Sequence, residues 1–429
     1  MTADLSACEA AARIRRGELT SEALTTACLA RIAEREPAVG AWQYLDAEQA
    51  LEQARGADRS RARGPLHGVP IGVKDIIDTV DMPTTLGSPI YAARRPQWDA
   101  ACVAAARAAG AIVLGKTVST EFAYFQPGKT RNPHNPRHTP GGSSSGSAAA
   151  VADRMVPIAF GSQTAASVIR PAAFCGVFGY KASMGEFSLS GIRPFAESLD
   201  ALGILARSVD DIALMRRVLL GAAAAPRFAP PPAAPRFGFC RGAQWTLVDT
   251  ASQRLLEQLV EQARGAGASV DEVVLPAHFV DLVDAQKTIM AYEAAHNYIF
   301  ETTRCADELS SAFRALTDTG WQISRAAYQS ARQAVASART ELAPHMQGLD
   351  ALITPAALGE APLAEAGTGD PIMSRMWTAL HSPALSVPVG EGPQGLPLAA
   401  QLIGALGADD VLLWAGAWLA NAVVAQRWT

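Results

Sequence analysis

The chain has 429 residues, 49% of them hydrophobic and 18% charged, a composition typical of a folded, core-rich protein and not of a disordered one. Its 37 basic and 41 acidic residues give a net charge of −4, and no basic block stands out. This balance predicts no nucleic-acid partner. The six cysteines are scattered without a CxxC pair, which favours buried thiols in a reducing cytosol.

Membrane signals are weak at both ends of the chain. The N-terminus lacks the apolar stretch that follows the basic region of a signal peptide. The longest apolar run, residues 411–425, contains Asn421 and is shorter than the roughly 20 residues that a bilayer requires. We therefore predict a buried helix over this run and a cytoplasmic protein without a membrane partner.

The first elements in chain order are helical. Alanine and leucine alternate with charged positions over residues 5–57, which predicts helices. An apolar run over 65–75 then predicts a short strand that ends at Lys74. Asp99 is predicted to cap the next helix, and Gly110 to end it in the left-handed conformation.

A loop-rich region separates these elements from the next helix. Residues 118–142 contain Phe122 and Tyr124, which we expect to form part of a pocket wall. A helix over 146–155 and a strand over 156–161 follow.

The order of the elements predicts the fold class. Helices and strands alternate through 60–205, which indicates an α/β fold with a largely parallel or mixed sheet covered by helices on both faces. A Pro/Ala-rich connector at about 221–237 is the best candidate boundary. The apolar strands predicted at 352–355 and 396–404 still need a sheet to join, so a single domain over 1–429 is favoured.

Three local patterns point to other kinds of protein, and their context disfavours each. Residues 110–117 match the phosphate-loop pattern, but the pattern begins at a helix end and its middle is itself a strand. Ser144 lies in a GxSxG pattern that follows a proline-rich loop instead of the strand that a nucleophile elbow requires. His134 and His138 are four residues apart on that same loop, so no metal site is predicted.

Three further segments carry the candidate catalytic residues Lys74, Ser143 and Ser167. A serine hydroxyl is a poor nucleophile until a base removes its proton. A lysine is a base only when neutral, and burial among apolar residues such as those before Lys74 lowers the pKa of the ammonium group. We expect Ser143 to relay a proton between the other two side chains.

These segments resemble the amidase signature family. The resemblance rests on the lysine after GVPIGV, the GGSSS run, and Ser167 with the Arg170–Gly176 segment, and it is densest over 65–205. It implies a large mixed sheet between helical layers, and an amidohydrolase without metal or organic cofactor. It also implies that Ser167 is the acyl-accepting nucleophile, Ser143 the bridging serine on a cis peptide, and Lys74 the base. Related enzymes suggest a homodimer.

The loop before Ser167 departs from the family pattern. Backbone N–H groups of Thr164, Ala165, Ala166 and Ser167 are predicted to form an oxyanion hole. Ala165 and Ala166 stand where the family usually has glycines, and alanine adopts positive φ at a cost of about 1 kcal/mol or more. We expect either ordinary dihedrals or a differently shaped loop, with two methyl groups that narrow the acyl pocket.

The position of Arg170 suggests a substrate class. The Ser-Val-Ile-Arg order resembles the malonamidase branch of the family, in which the arginine three residues past the nucleophile grips a substrate carboxylate. The alternative is a structural salt bridge. Gln163, Ser144, Phe122 and Tyr124 complete the predicted substrate-binding set.

The predicted function is hydrolysis of a small amide, which can bear a carboxylate, to an acid and ammonia or an amine, with that amide as the partner. One alternative is the glutamine-hydrolysing A subunit of a tRNA amidotransferase, which co-purification with further subunits would favour. A second is a catalytically silent carboxylate-binding protein, against which the intact Lys74, Ser143 and Ser167 argue. A third, an NTPase using the Lys116 pattern, is disfavoured by the context above.

Overall fold

One mixed sheet forms the centre of this computed structural model, which describes residues 2–221 and 234–424. Its eleven strands are ordered β1-β3-β2-β4-β6-β5-β10-β11-β9-β7-β8. The strands are Trp42–Leu45 (β1), Pro70–Lys74 (β2), Ile112–Thr117 (β3), Ile158–Gln163 (β4), Phe178–Lys181 (β5), Ala201–Ala206 (β6), Arg236–Phe239 (β7), Ser269–Glu272 (β8), Ala351–Pro355 (β9), Ala384–Glu391 (β10) and Pro397–Ile403 (β11).

Helices pack around this sheet, which confirms the predicted α/β class. They are Ala7–Arg15 (α1), Ser21–Val39 (α2), Ala47–Asp58 (α3), Ala101–Ala108 (α4), Ser145–Ala152 (α5), Ile169–Cys175 (α6), Val209–Leu219 (α7), Thr250–Gly265 (α8), Leu282–Asn297 (α9), Ile299–Arg304 (α10), Ser311–Gln322 (α11), Arg325–Met346 (α12), Ile372–Ala379 (α13) and Asp409–Leu419 (α14). Among the described residues, no helix is both long and apolar enough to cross a membrane.

Several boundaries differ from the sequence prediction. Asp99 does not cap α4: Ala100 holds the cap position, and the Asp99 carboxylate accepts a hydrogen bond from the Val80 N–H at 2.9 Å and pairs with Arg107. The predicted strand at 156–161 begins two residues later, as β4, because the chain turns at Arg154, which has a φ of 59°.

Most of the predicted connector, residues 222–233, lies outside the described residues. The strands that follow it still join the same sheet: β7 and β8 pair in parallel, and β9 connects them to β11. The sheet thus contains strands from both sides of the connector, although a single domain stays a prediction.

The parallel pairing of β2 and β4 positions the site. Ile71 lies opposite Ile158 and Val73 opposite Phe160, so the two strands run side by side and end at the same edge of the sheet. Lys74 is the last residue of β2, and Ser162 is the penultimate residue of β4. The chain therefore brings these two polar side chains, 88 residues apart in sequence, to one place.

Helix α5 holds the serine run against this edge. The hydroxyl of Ser147 donates to the carbonyl of Phe160 at 2.8 Å and bonds the Thr117 hydroxyl at 2.7 Å, which ties the helix to β4 and β3. A Cβ at Gly146 would lie 2.3 Å from the Ala41 carbonyl oxygen, so only glycine permits this approach. The density of small residues in this run reflects close packing as well as chemistry.

Candidate active site

Lys74 is a fully buried lysine with two serine partners. Its Nζ donates to the Ser143 hydroxyl at 2.7 Å and to the Ser162 hydroxyl at 2.8 Å. Burial lowers the pKa of the Lys74 ammonium to about 7, against a smaller opposing effect of the Asp200 carboxylate. Near pH 7, Lys74 is therefore unprotonated and neutral in a substantial fraction of the protein molecules, as a general base requires.

Ser143 and its neighbours lie beside the segment that carries Ser167. The Gly142–Ser143 peptide is cis. The N–H of Ser144, the next residue, donates to the Ser167 carbonyl at 3.2 Å. The structure thus brings together the three segments that the sequence singled out.

Ser167 lies at the wall of a small cavity and is 8% exposed. The cavity has a volume of about 20 Å³, roughly the space of one water molecule. The wall is aromatic and cationic, made of Ala123, Tyr124, Phe125, Thr164, Ala165, Ala166, Ser167, Arg170, Phe195, Met290, Pro371 and Arg375. A second cavity of about 240 Å³ shares the wall residues Ala123, Thr164 and Phe195 and extends to Ser162 and Asp200.

The carbonyl groups of the loop before Ser167 are held by distant side chains. The Thr164 carbonyl accepts from the Gln286 amide at 3.0 Å, and the Ala165 carbonyl accepts from the Thr378 hydroxyl at 2.7 Å. The Ala166 carbonyl accepts from the N–H of Arg170 at 2.9 Å. All three peptide planes are fixed before a substrate arrives.

The N–H groups of the same peptides are unused. In a trans peptide the N–H points away from the carbonyl, so anchoring these carbonyls directs the N–H groups of Ala165, Ala166 and Ser167 to the opposite side. None of the three donates to an acceptor among residues 2–221 and 234–424. Neither alanine has a positive φ, so the loop keeps ordinary dihedrals despite the missing glycines.

Arg170 is held mainly by backbone carbonyls, and among the described residues it does not form the salt bridge that was the alternative to substrate binding. Its Nη1 donates to the Gly369 carbonyl at 2.6 Å, and its Nη2 donates to the Gly142 carbonyl at 2.8 Å and the Thr368 hydroxyl at 3.2 Å. The guanidinium has no carboxylate partner in the described ranges, and burial lowers its pKa to about 9. Arg170 therefore anchors the peptide that precedes Ser143, and only its Nε and one Nη1 hydrogen remain for a ligand.

Two predicted substrate-binding residues, Gln163 and Ser144, do not line the cavity. Gln163 uses its amide oxygen to accept from the N–H groups of Val168 and Ile169, at the start of α6, and is 1% exposed. The Ser144 hydroxyl donates to the Ser162 carbonyl and accepts from the Ser162 N–H.

Two aromatic residues of the loop over 118–142, Phe122 and Tyr124, differ in their position relative to the cavity. Phe122 packs in a buried cluster with Tyr298 and Phe313, at centroid distances of 4.9 Å, away from the cavity. Tyr124 lines the cavity as predicted and stacks on Phe195 at 5.7 Å. The pocket wall expected from this loop is therefore supplied by Tyr124 and not by Phe122.

The phosphate-loop pattern lies on strand β3 and not on a loop. Lys116 is fully buried, where its Nζ donates to the Ile77 carbonyl at 2.7 Å and pairs with Asp75 at 3.6 Å. These bonds hold the turn that follows Lys74, so Lys116 has a structural role here.

Asp200 is a partly buried acid that the sequence analysis did not single out. Its carboxylate accepts from the Thr164 hydroxyl at 2.5 Å and from the N–H groups of Phe195 and Ala196 at 2.7 and 3.0 Å. Burial raises the pKa of this carboxyl to about 7, against the lowering effect of these bonds. No local pattern around Asp200 points to Lys74 or Thr164, because the contact depends on the pairing of β4 with β6.

Replacing Asp200 with asparagine is expected to move the acid limb of the rate–pH profile to lower pH. The carboxylate raises the pKa of Lys74, so its removal lets the ammonium lose its proton at lower pH. The measurement is kcat/KM for an amide between pH 5 and 9, with Asp318→Asn on the exposed face of α11 as control. A limb that stays in place, moves to higher pH or disappears would contradict this assignment to Lys74.

The buried lysine, the two serine segments and the fixed loop thus lie together at one edge of the sheet. The family model described as Amidase matches residues 23–413, and the chain belongs to the amidase family. It is an amidase-family hydrolase. The comparison with solved structures agrees: the peptide amidase from Stenotrophomonas maltophilia has 30% identity and a TM-score of 0.84, over 97% of this chain and 96% of that one.

Curated relatives include A subunits of glutamyl-tRNA(Gln) amidotransferase. The subunit from Acidothermus cellulolyticus is 35% identical over 96% of this chain and 93% of its own length. The one from Roseiflexus castenholzii is 45% identical over 51% of this chain, a match that spans about half, 46%, of that relative. This finding corrects the prediction of no nucleic-acid partner: the relatives are subunits of assemblies named for a tRNA. Net charge alone therefore does not exclude a nucleic-acid partner.

Proposed function

We propose that the chain hydrolyses the C–N bond of a small amide through an acyl-enzyme on Ser167. The observation that carries this proposal is the fully buried Lys74, with its Nζ 2.7 Å from the Ser143 hydroxyl, beside the segment of Ser167. A fully buried lysine whose hydrogen-bond partners among the described residues are two hydroxyl groups is suited to accept a proton and unsuited to a surface role.

The reaction proceeds in two halves. Neutral Lys74 takes the proton of Ser143 as Ser143 takes that of Ser167, and the Ser167 oxygen attacks the amide carbonyl carbon. The proton then passes to the leaving nitrogen, the C–N bond breaks, and ammonia or an amine departs. Water attacks the resulting ester, gives its proton back along the same path, and releases the acid with Ser167 restored.

The loop before Ser167 supplies the oxyanion hole in this proposal. The N–H groups of Ala165, Ala166 and Ser167 lie opposite carbonyls that the structure already anchors, so no reorganisation is needed when negative charge develops. The Ala165 and Ala166 methyl groups restrict the space beside the nucleophile, which favours a small acyl group. The single domain, the homodimer and the cytoplasmic location stay predictions.

A panel of amides tests this function. We expect ammonia release from one or more small amides, among them malonamate, succinamate, butyramide, and aryl and indole-type amides. Release from none of them, by protein with a folded circular dichroism spectrum, would favour the catalytically silent alternative.

A second candidate is the glutamine-hydrolysing subunit of a tRNA amidotransferase, which the curated relatives favour. Glutamine carries an ammonium group as well as a carboxylate, and no acidic residue is among the described residues that line the Ser167 cavity. The cavity therefore suits an acid amide without an amino group better. The test is glutamine-dependent amidation of glutamyl-tRNA(Gln) by the chain with co-purified subunits; its occurrence would establish this second function.

A further inference from the structure

Arg375 is a second buried arginine in the Ser167 cavity. It lies on α13, is 6% exposed, and lines the same cavity as Ser167 and Arg170. The sequence analysis did not single it out, because α13 follows the signature segments by some 200 residues and carries no motif.

The hydrogen bonds of Arg375 leave most of its donors free. Its Nη1 donates to the Gln286 side-chain oxygen, and the described residues give it no ion pair. Asp370 and Asp284 exert only weaker electrostatic effects on it, and both are exposed at the surface. A guanidinium has five N–H donors in a planar fork, so this side chain can still bind an anion with two parallel bonds.

Two buried guanidinium groups without a carboxylate are costly in a folded protein. Burial of an unpaired charge is unfavourable unless an opposite charge reaches it. The terminal nitrogens of Arg170 donate hydrogen bonds to the Gly369 and Gly142 carbonyls, so few of its N–H donors remain for an anion. Arg375 is the better placed of the two to receive an anion.

We propose that Arg375 binds the carboxylate of an acid amide while Ser167 attacks its amide carbonyl, and that Arg170 is a positioning residue. This assignment rests on the proposed function and names its substrate class: monoamides of small dicarboxylic acids without an amino group. The substrate carboxylate neutralises positive charge that the buried arginines place in the cavity. The aromatic side chains of Tyr124, Phe125 and Phe195 surround the carbon chain of the substrate between its carboxylate and its amide.

Gln286 connects the carboxylate site to the oxyanion loop. Its side-chain oxygen accepts from Arg375, and its amide donates to the Thr164 carbonyl at 3.0 Å. Gln286 is fully buried, so the two bonds hold it between α13 and the loop. Because Arg375 is fixed relative to the loop before Ser167, it favours substrates whose carboxylate and amide groups are separated by a length that spans the two sites.

The test compares an acid amide with a neutral amide of equal length. Succinamate and butyramide differ by a carboxylate in place of a methyl group. For Arg375→Gln we expect the ratio of kcat/KM for succinamate to that for butyramide to fall roughly 10- to 150-fold, the worth of a charge-assisted hydrogen bond. Arg375→Lys keeps the charge but loses the fork, so a smaller fall is expected. Arg325→Gln, on an exposed residue of α12, is the control.

A binding measurement separates this proposal from the proposed function. Calorimetric titration with succinate requires no turnover, and we expect its Kd to rise at least about 10-fold in Arg375→Gln relative to the unsubstituted protein and Arg325→Gln. An unchanged Kd, or an unchanged ratio of rates, would overturn the role of Arg375. If no amide is hydrolysed but succinate binding depends on Arg375, the proposed hydrolysis fails and the carboxylate site stands.

Discussion

Replacing Ser167 by alanine is expected to reduce amide hydrolysis roughly 10⁴-fold or more, because the acyl group then has no oxygen to bind. Ser167 is 8% exposed, and its side chain lies at the cavity wall, so loss of one oxygen atom leaves the packing nearly unchanged. The measurement is ammonia release at saturating amide, with the folded state checked by circular dichroism and thermal unfolding.

A matched serine substitution controls for this variant. Ser330 is exposed on α12 and is not among the residues that line the cavity of Ser167, so Ser330→Ala is expected to retain full activity. If Ser167→Ala kept even a tenth of the rate, the nucleophile would have to be sought elsewhere.

Replacing Lys74 by methionine is expected to lower kcat by roughly 10²- to 10⁴-fold, the usual contribution of a general base. Methionine fills most of the space of the lysine stem but cannot accept a proton. In the unsubstituted protein, burial lowers the pKa of Lys74 to about 7, so activity should rise as pH increases through about 7 and the neutral amine forms. The rate–pH profile of Lys74→Met should lose this limb.

Lys129→Met is the matched control for the lysine substitution. Lys129 lies on a loop with 57% of its side chain exposed, and we expect its removal to leave both the rate and the acid limb in place. An acid limb near pH 7 that survives in Lys74→Met would assign the titrating group to another side chain, such as Asp200.

The sequence predicted the fold class well because the relevant signals are local. Apolar runs bounded by turn residues mark β2, β4, β9 and β11, and the alternation of helices and strands indicates a sheet covered by helices. The three segments with Lys74, Ser143 and Ser167 were found because a lysine in an apolar run and two serine-containing segments together match the amidase signature. The structure places these segments together.

The rest of the site depends on contacts that no local pattern encodes. Ser162 reaches Lys74 through the parallel pairing of β2 and β4, and Asp200 reaches Thr164 through the pairing of β4 with β6. Gln286 and Arg375 come from helices more than 100 residues past Ser167. Sequence reasoning also assigned Gln163 to the substrate, because an amide side chain beside the nucleophile looks available until its backbone partners at the start of α6 are known.

The most direct test of the acyl-enzyme is mass spectrometry of protein quenched in acid during turnover of an amide. We predict an increase equal to the mass of the acyl group, located on the peptide that contains Ser167 and absent from Ser167→Ala. An adduct on another residue, or turnover of a hydrolysed amide without any adduct on Ser167 under single-turnover quenching, would contradict catalysis through this serine.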